Sequence, residues 1–144
     1  ASISFQEIIR KPLTENKYEK TKIWFSDEII IKQLDGYKLV YDSPRFKKAY
    51  RSVSDSSMIK FECEGKYLGI LFLKNSSSKK ILVKIDGKEF TIPTYHPNDR
   101  GYQSVYNFGK LNNRLHTIEI INIGNFEFNA IMNYDITANQ LLNH

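Results

Sequence analysis

Alternation with a period of two runs through this chain from end to end. The runs "KIWF" (22–25), "EIIIKQL" (28–34), "YKLVY" (37–41), "MIKFECE" (58–64), "YLGILFLK" (67–74), "KILVKID" (80–86), "EFTIPTY" (89–95), "YQSVYNF" (102–108), "LHTIEIINI" (115–123) and "FEFNAIMNYDI" (126–136) are rich in β-branched and aromatic residues. Successive side chains on a strand point to opposite faces, so such runs put their apolar residues on one face and need a second layer to bury it. Many short runs, separated by turn-formers at close intervals, predict an all-β sandwich or barrel of antiparallel strands. Helical pattern is scarce: "FQEIIR" (5–10) and "ANQLL" (138–142) suit only short helices. An α/β fold would need crossover helices that the sequence does not supply.

Turn chemistry sharpens the register. Asp86-Gly87 suits a two-residue type I′ hairpin, whose central positions both need positive φ, and Asp35-Gly36 is expected to do the same between earlier strands. No repeat, low-complexity tract or linker divides the 144 residues, a length that one core can serve, so a single domain is expected over 1–144. Residues 1–20 read as an edge strand or an arm. The chain starts without methionine and reads as a domain cut from a longer protein.

Several kinds of chemistry lack their residues. The only cysteine, Cys63, alternates with Phe61 and reads as a small buried hydrophobe, so an intramolecular disulfide and a thiolate cluster are both excluded. The histidines are His96, His116 and His144, with no His-x-His or His-x-Asp pair, so neither a cupin-type metal site nor any cofactor is expected. "SVSDSS" (52–57) lacks the glycine elbow of a serine nucleophile, and the seven glycines stand singly, which rules out a phosphate-cradling loop. No catalytic residue is assigned.

Charge and hydropathy narrow the partners. No apolar run approaches the roughly 20 residues of a membrane span. The net charge of +5 favours anionic partners, but its lysines are scattered and form no dense basic helix, so nucleic acid is not expected.

One loop has the residue types that hold sugars. "TYHPNDRGYQS" places Tyr95, His96, Asn98, Asp99, Arg100 and Tyr102 within a few residues. Aromatic faces pack on the apolar face of a pyranose, while amide, carboxylate and guanidinium groups make directional bonds to hydroxyls or carboxylates. A second cluster, "YDSPRFKKAYRSVS" (41–54), offers Arg45, Tyr50 and Arg51. Trp24, between Ile23 and Phe25, reads as core. A competing structural reading has Tyr95 and Tyr102 closing the end of the sandwich and Asp99-Arg100 as a solvated pair. A third reading is a polysaccharide lyase, with His96 or Tyr102 taking a proton and Arg100 neutralising a uronate.

Four segments in order carry a family resemblance: "AYRSVSDSSMIKFECEGKYLGILFL", "KILVKIDGKEF", "GKLNNRLHTIEIINI" and "NFEFNAIMNYDI". Together, over about 48–136, they resemble the galactose-binding-like jelly-roll domains attached to bacterial carbohydrate esterases of the SGNH type. The pattern departs at Arg114-Leu115, where a glycine is usual, and at Tyr134-Asp135, which stands in reverse order. The resemblance implies a jelly-roll β-sandwich and a non-catalytic accessory domain, extracytoplasmic or secreted and monomeric. Its implied partners are a saccharide, anionic ones included, and a catalytic domain of the parent protein.

Overall fold

A computed structural model describes residues 22–133. The strands are β1 (Lys22–Phe25), β2 (Ile30–Asp35), β3 (Tyr37–Val40), β4 (Ala49–Ser52), β5 (Ser56–Lys74), β6 (Lys80–Ile85), β7 (Lys88–Pro93), β8 (Tyr102–Ile123) and β9 (Glu127–Asn133). A single 3₁₀ turn, Ser26–Glu28, is the only helical element among the described residues. The edge strand or arm expected at 1–20, "FQEIIR", "ANQLL", Tyr134-Asp135 and His144 lie outside them.

The chain folds as an antiparallel jelly-roll sandwich, and two long strands make it one. β5 and β8 pair along nearly their whole lengths, from Ser56↔Ile123 to Lys74↔Tyr102, with register shifts at Gly65/Tyr67 and Tyr67/Gly69. Those irregularities let both strands bend from one sheet into the other. The first half of β5 and the second half of β8 form one sheet with β2 on one side and β6 and β7 on the other. The remaining halves form the second sheet with β9, which β1 and β4 extend, and β3 lies outside β4.

Phenylalanines fill the space between the sheets. Phe61, Phe72, Phe126 and Phe128 are fully buried; Phe128 stacks on Phe61 at 6.1 Å and on Phe126 at 6.0 Å. Trp24 packs against this core, in agreement with its reading. Cys63 is buried as well, and burial pushes its thiol up to about 12. A smaller apolar cluster forms on the outer face of the second sheet, where Phe46 of the β3–β4 loop covers Leu71, Leu73 and Val105.

Two turns fare differently. Asp86 (φ 52°) and Gly87 (φ 87°) close the β6–β7 hairpin as expected. Asp35-Gly36 closes no hairpin, because β2 pairs with β5 and β3 with β4. It is a corner at which the chain passes from one sheet to the other.

The Asp86 side chain also ties the hairpin to β8. One carboxylate oxygen accepts the Thr117 amide at 2.9 Å; the other accepts His116 Nδ1–H at 2.5 Å and Arg114 at 2.9 Å. His116 is 2% exposed and donates from Nε2 to the carbonyls of Gly65 and Asn112. Its ring therefore clasps the bend of β5 as well.

Candidate functional site

The β6–β7 hairpin delivers the chain at Pro93 to one end of the sandwich, and there the loop 94–101 is held from several sides. The backbone of Asn75, in the β5–β6 loop, donates to the Thr94 carbonyl at 3.1 Å and accepts from the His96 amide at 3.0 Å. Ser78 and Thr94 share a buried hydroxyl bond of 2.5 Å. Ser76 donates to Asp99 at 2.7 Å. Inside the loop, Asn98 accepts from the Arg100 amide at 2.9 Å, and its own amide donates to His96 Nδ1 at 3.0 Å. Gly101 closes the loop at φ 90°, where an added Cβ would lie 2.6 Å from the Leu73 side chain. A side chain there would meet both a disfavoured backbone angle and a buried neighbour.

This frame brings rings together. His96 and Tyr102 stack at 4.8 Å with only 8° between their planes. Tyr102 remains 54% exposed and Tyr95 56%, so the rings present apolar area to solvent. Arg100 is exposed and makes no side-chain hydrogen bond or ion pair among the described residues. The loop thus offers ring faces and a guanidinium, while Asn98 and Asp99 spend part of their bonding capacity on its shape. Because His96 Nδ1 accepts the Asn98 amide N–H, the neutral ring carries its proton on Nε2.

The second predicted cluster divides. Arg45 joins the loop, donating from Nε to the Gly101 carbonyl at 2.9 Å. Tyr50 is corrected: it is 9% exposed and stacks on Phe128 at 5.7 Å, so its ring serves the core. It sits on β4, a strand too short for its pattern to register in the sequence, which is why it looked available. Arg51 is a clamp, bonded to the buried Glu127 at 2.7 Å and to Asp42 at 3.0 Å. Ser43 bonds to the same Glu127 carboxylate. These contacts hold the β3–β4 loop over the outer face of the second sheet.

Beside Arg45 that loop leaves a cleft of about 340 Å³, lined also by Phe25, Lys48, Gln103 and Asn129. Sequence reading missed it. Its only signal is a polar residue inside the otherwise apolar "FNAIM". The β5–β9 register slips at Leu71/Phe72, and Asn129 Nδ2 donates to the Lys48 carbonyl at 2.7 Å.

The sequence matches no family model and no curated protein. Solved structures share the fold. A two-domain esterase active on acetylated mannans, co-crystallised with mannopentaose, matches with a TM-score of 0.65 and 15% identity over 89% of this chain and 40% of its own. A family 35 carbohydrate binding module from an environmental isolate gives 0.59 and 9% over 81% of this chain and 98% of the module. A family two carbohydrate esterase from Cellvibrio japonicus gives 0.57 and 16% over 78% of this chain and 33% of the esterase. This chain therefore spans less than half the length of the two esterases and nearly all of the module. The jelly roll expected from the sequence is the fold these structures share.

Proposed function

We propose that this chain is a non-catalytic carbohydrate-binding accessory module, which seats a saccharide on the loop end of its sandwich. Tyr95, His96, Tyr102 and Arg100 are the contact residues; Asn98, Asp99 and Arg45 hold the loop that presents them. The observation that carries this reading is the His96–Tyr102 stack, with Tyr102 more than half exposed, on a loop fastened from its neighbours. Stacked rings offer a pyranose an apolar platform whose orientation is fixed before binding, which lowers the ordering cost of association. The Asn98 amide occupies the Nδ1 lone pair of His96, the ring's one basic position when neutral, and so supports binding over the lyase reading. The fold shared with a carbohydrate binding module supports it further. The parent is proposed to be a secreted or cell-envelope bacterial carbohydrate-active enzyme, an esterase or acyltransferase.

The test is an amide-shift titration of the chain with mannan, xylan and cell-wall oligosaccharides. Binding should move resonances in 94–102, and Tyr102→Ala should weaken it at least about tenfold. An unmoved loop at millimolar saccharide would sink the reading.

A separate observation favours a second reading, a protein-interaction domain that packs on a catalytic domain. On the outer face of the first sheet Met58, Ile121 and Leu82 stand side by side in register, and Ile123 beside them is 83% exposed. A shallow cleft of about 420 Å³ runs along Leu82, Ile121 and Ile123. Aligned aliphatic side chains of this kind suit a protein surface better than a polar glycan. Under this reading Ile123→Glu abolishes association with the parent's remaining domain, measured with the two parts mixed, and Tyr102→Ala does not.

A further inference from the structure

We infer that the opposite end of the sandwich carries a second binding site, for the oxyanion of a charged sugar: a carboxylate, phosphate or sulfate. Only the identity of the carrier rests on the saccharide reading above; the anion site rests on its own residues. β6 and β7 are six residues each, so their Asp86-Gly87 turn lies about 20 Å from the loop at 94–101. Beside that turn, where β8 crosses between the sheets, a cleft of about 410 Å³ is lined by Lys88, Lys110, Asn112 and Arg114, with Ile85 and Leu111 among its walls. That volume lies within the range of small-ligand sites.

Three cations converge on this cleft, and its one carboxylate is already committed. Asp86 accepts from Thr117, His116 and Arg114. Neither Lys88 nor Lys110 forms an ion pair among the described residues. Glu64, which neighbours Arg114 across the β5–β8 ladder, lines a different slot, beside Trp24. With the Asp86 carboxylate set against Arg114 and the doubly donating His116, the Lys88 and Lys110 charges face the cleft in excess.

The cleft also has orientation. Asp86 grips one edge of the Arg114 guanidinium and is itself fixed by the buried His116, so the remaining Arg114 N–H groups are presented from a braced position. The Lys88 ammonium lies over the Phe90 ring, 5.3 Å from its centroid, which restrains the side chain. A guanidinium offers paired donors to a planar or tetrahedral oxyanion, and two ammonium groups add charge. The Asn112 amide can serve ring hydroxyls. A neutral sugar would leave the cations unmatched.

Amide-shift titration of the whole chain with inorganic phosphate, a uronate trisaccharide, a sulfated trisaccharide and a neutral trisaccharide tests the inference. Anionic probes should move resonances at 86–88 and 110–116, and the tightest of them names the oxyanion. Lys110→Gln and Lys88→Gln should each weaken binding about tenfold. Lys84→Gln, between Glu119 and Glu89 on the outer face, removes the same charge and should change nothing. Equal losses from Lys84→Gln and Lys110→Gln, or unmoved resonances at millimolar anion, would overturn the site. If the anions bind here while no saccharide, neutral or anionic, moves 94–102, the loop-end reading fails and this site stands. The reverse result removes this site alone.

Discussion

Asp86 shows how much one turn residue can carry. Burial alone would push its carboxyl up, but the Thr117 amide, His116 and Arg114 together hold it down at about 2, against an ordinary value of 3.8. A carboxyl depressed in the folded state stabilises the fold above its unfolded value, and that contribution is lost as pH falls through the folded one. The contribution is therefore complete above about pH 4 and fades between 4 and 2. Asp86→Ala also strips a partner from the buried His116 and should cost about 2–3 kcal/mol at pH 7. Urea unfolding at stepped pH should show the gap between the two proteins closing as pH approaches 2. A gap constant with pH would mean that the carboxylate charge contributes nothing. Gly101 acts through the backbone instead. Gly101→Ala should lose about 1–3 kcal/mol in thermal unfolding, since its φ of 90° and the Leu73 side chain leave no room for a methyl group.

Among the elements, the β3–β4 loop depends most on a distant strand. Glu127 of β9 is buried and holds Arg51 at 2.7 Å, and Ser43 bonds to the same carboxylate. Glu127→Ala leaves a half-buried guanidinium with only Asp42 and should cost about 2–3 kcal/mol. Hydrogen exchange should then speed up across 41–48 while β6 and β7 stay protected; uniform loss of protection would show that the loop has no separate clamp. The same contrast between local and distant pairing explains what was legible in the sequence. Period two and the Asp86-Gly87 dipeptide are local properties, and they gave the strand-rich sandwich and its one clear hairpin. The union of 58–64 with 67–74, and of 102–108 with 115–123, depends on bulges at Gly65–Gly69 that only the partner strand defines. β4 is four residues long and pairs with β3 and β9, too short for its own pattern to register. Of the candidate loop, 94–102 was visible because aromatic and polar residues crowd within one segment. Arg45 meets it across a sequence separation of 56, and the far cleft gathers Lys88 and Arg114 from strands with no shared motif.

At the scale of the molecule, among the described residues, the ring stack and the three-cation cleft lie at opposite ends. The loop end offers the His96–Tyr102 stack, and the far end offers Lys88, Lys110 and Arg114. About 20 Å of hairpin separates them, roughly twice the Debye length of about 10 Å at 0.1 M salt, so neither end feels much of the other's field. Binding at the two should therefore respond differently to ionic strength. Stacking of a neutral pyranose on exposed rings changes little when salt rises, whereas attraction of an oxyanion to three cations is screened and competed for by the added anions. Raising sodium chloride from about 0.05 M to about 0.5 M shortens the Debye length roughly threefold. Calorimetric titration across that range should leave a neutral saccharide within about twofold of its starting affinity, while a phosphate or uronate probe weakens about tenfold. Parallel losses for both ligands would place charge recognition at the loop end too, with Arg100 the first residue to replace. Salt-independent binding of the uronate would instead show that the far cleft holds its ligand by the sugar hydroxyls, and would shift the decisive role from Lys110 to Asn112.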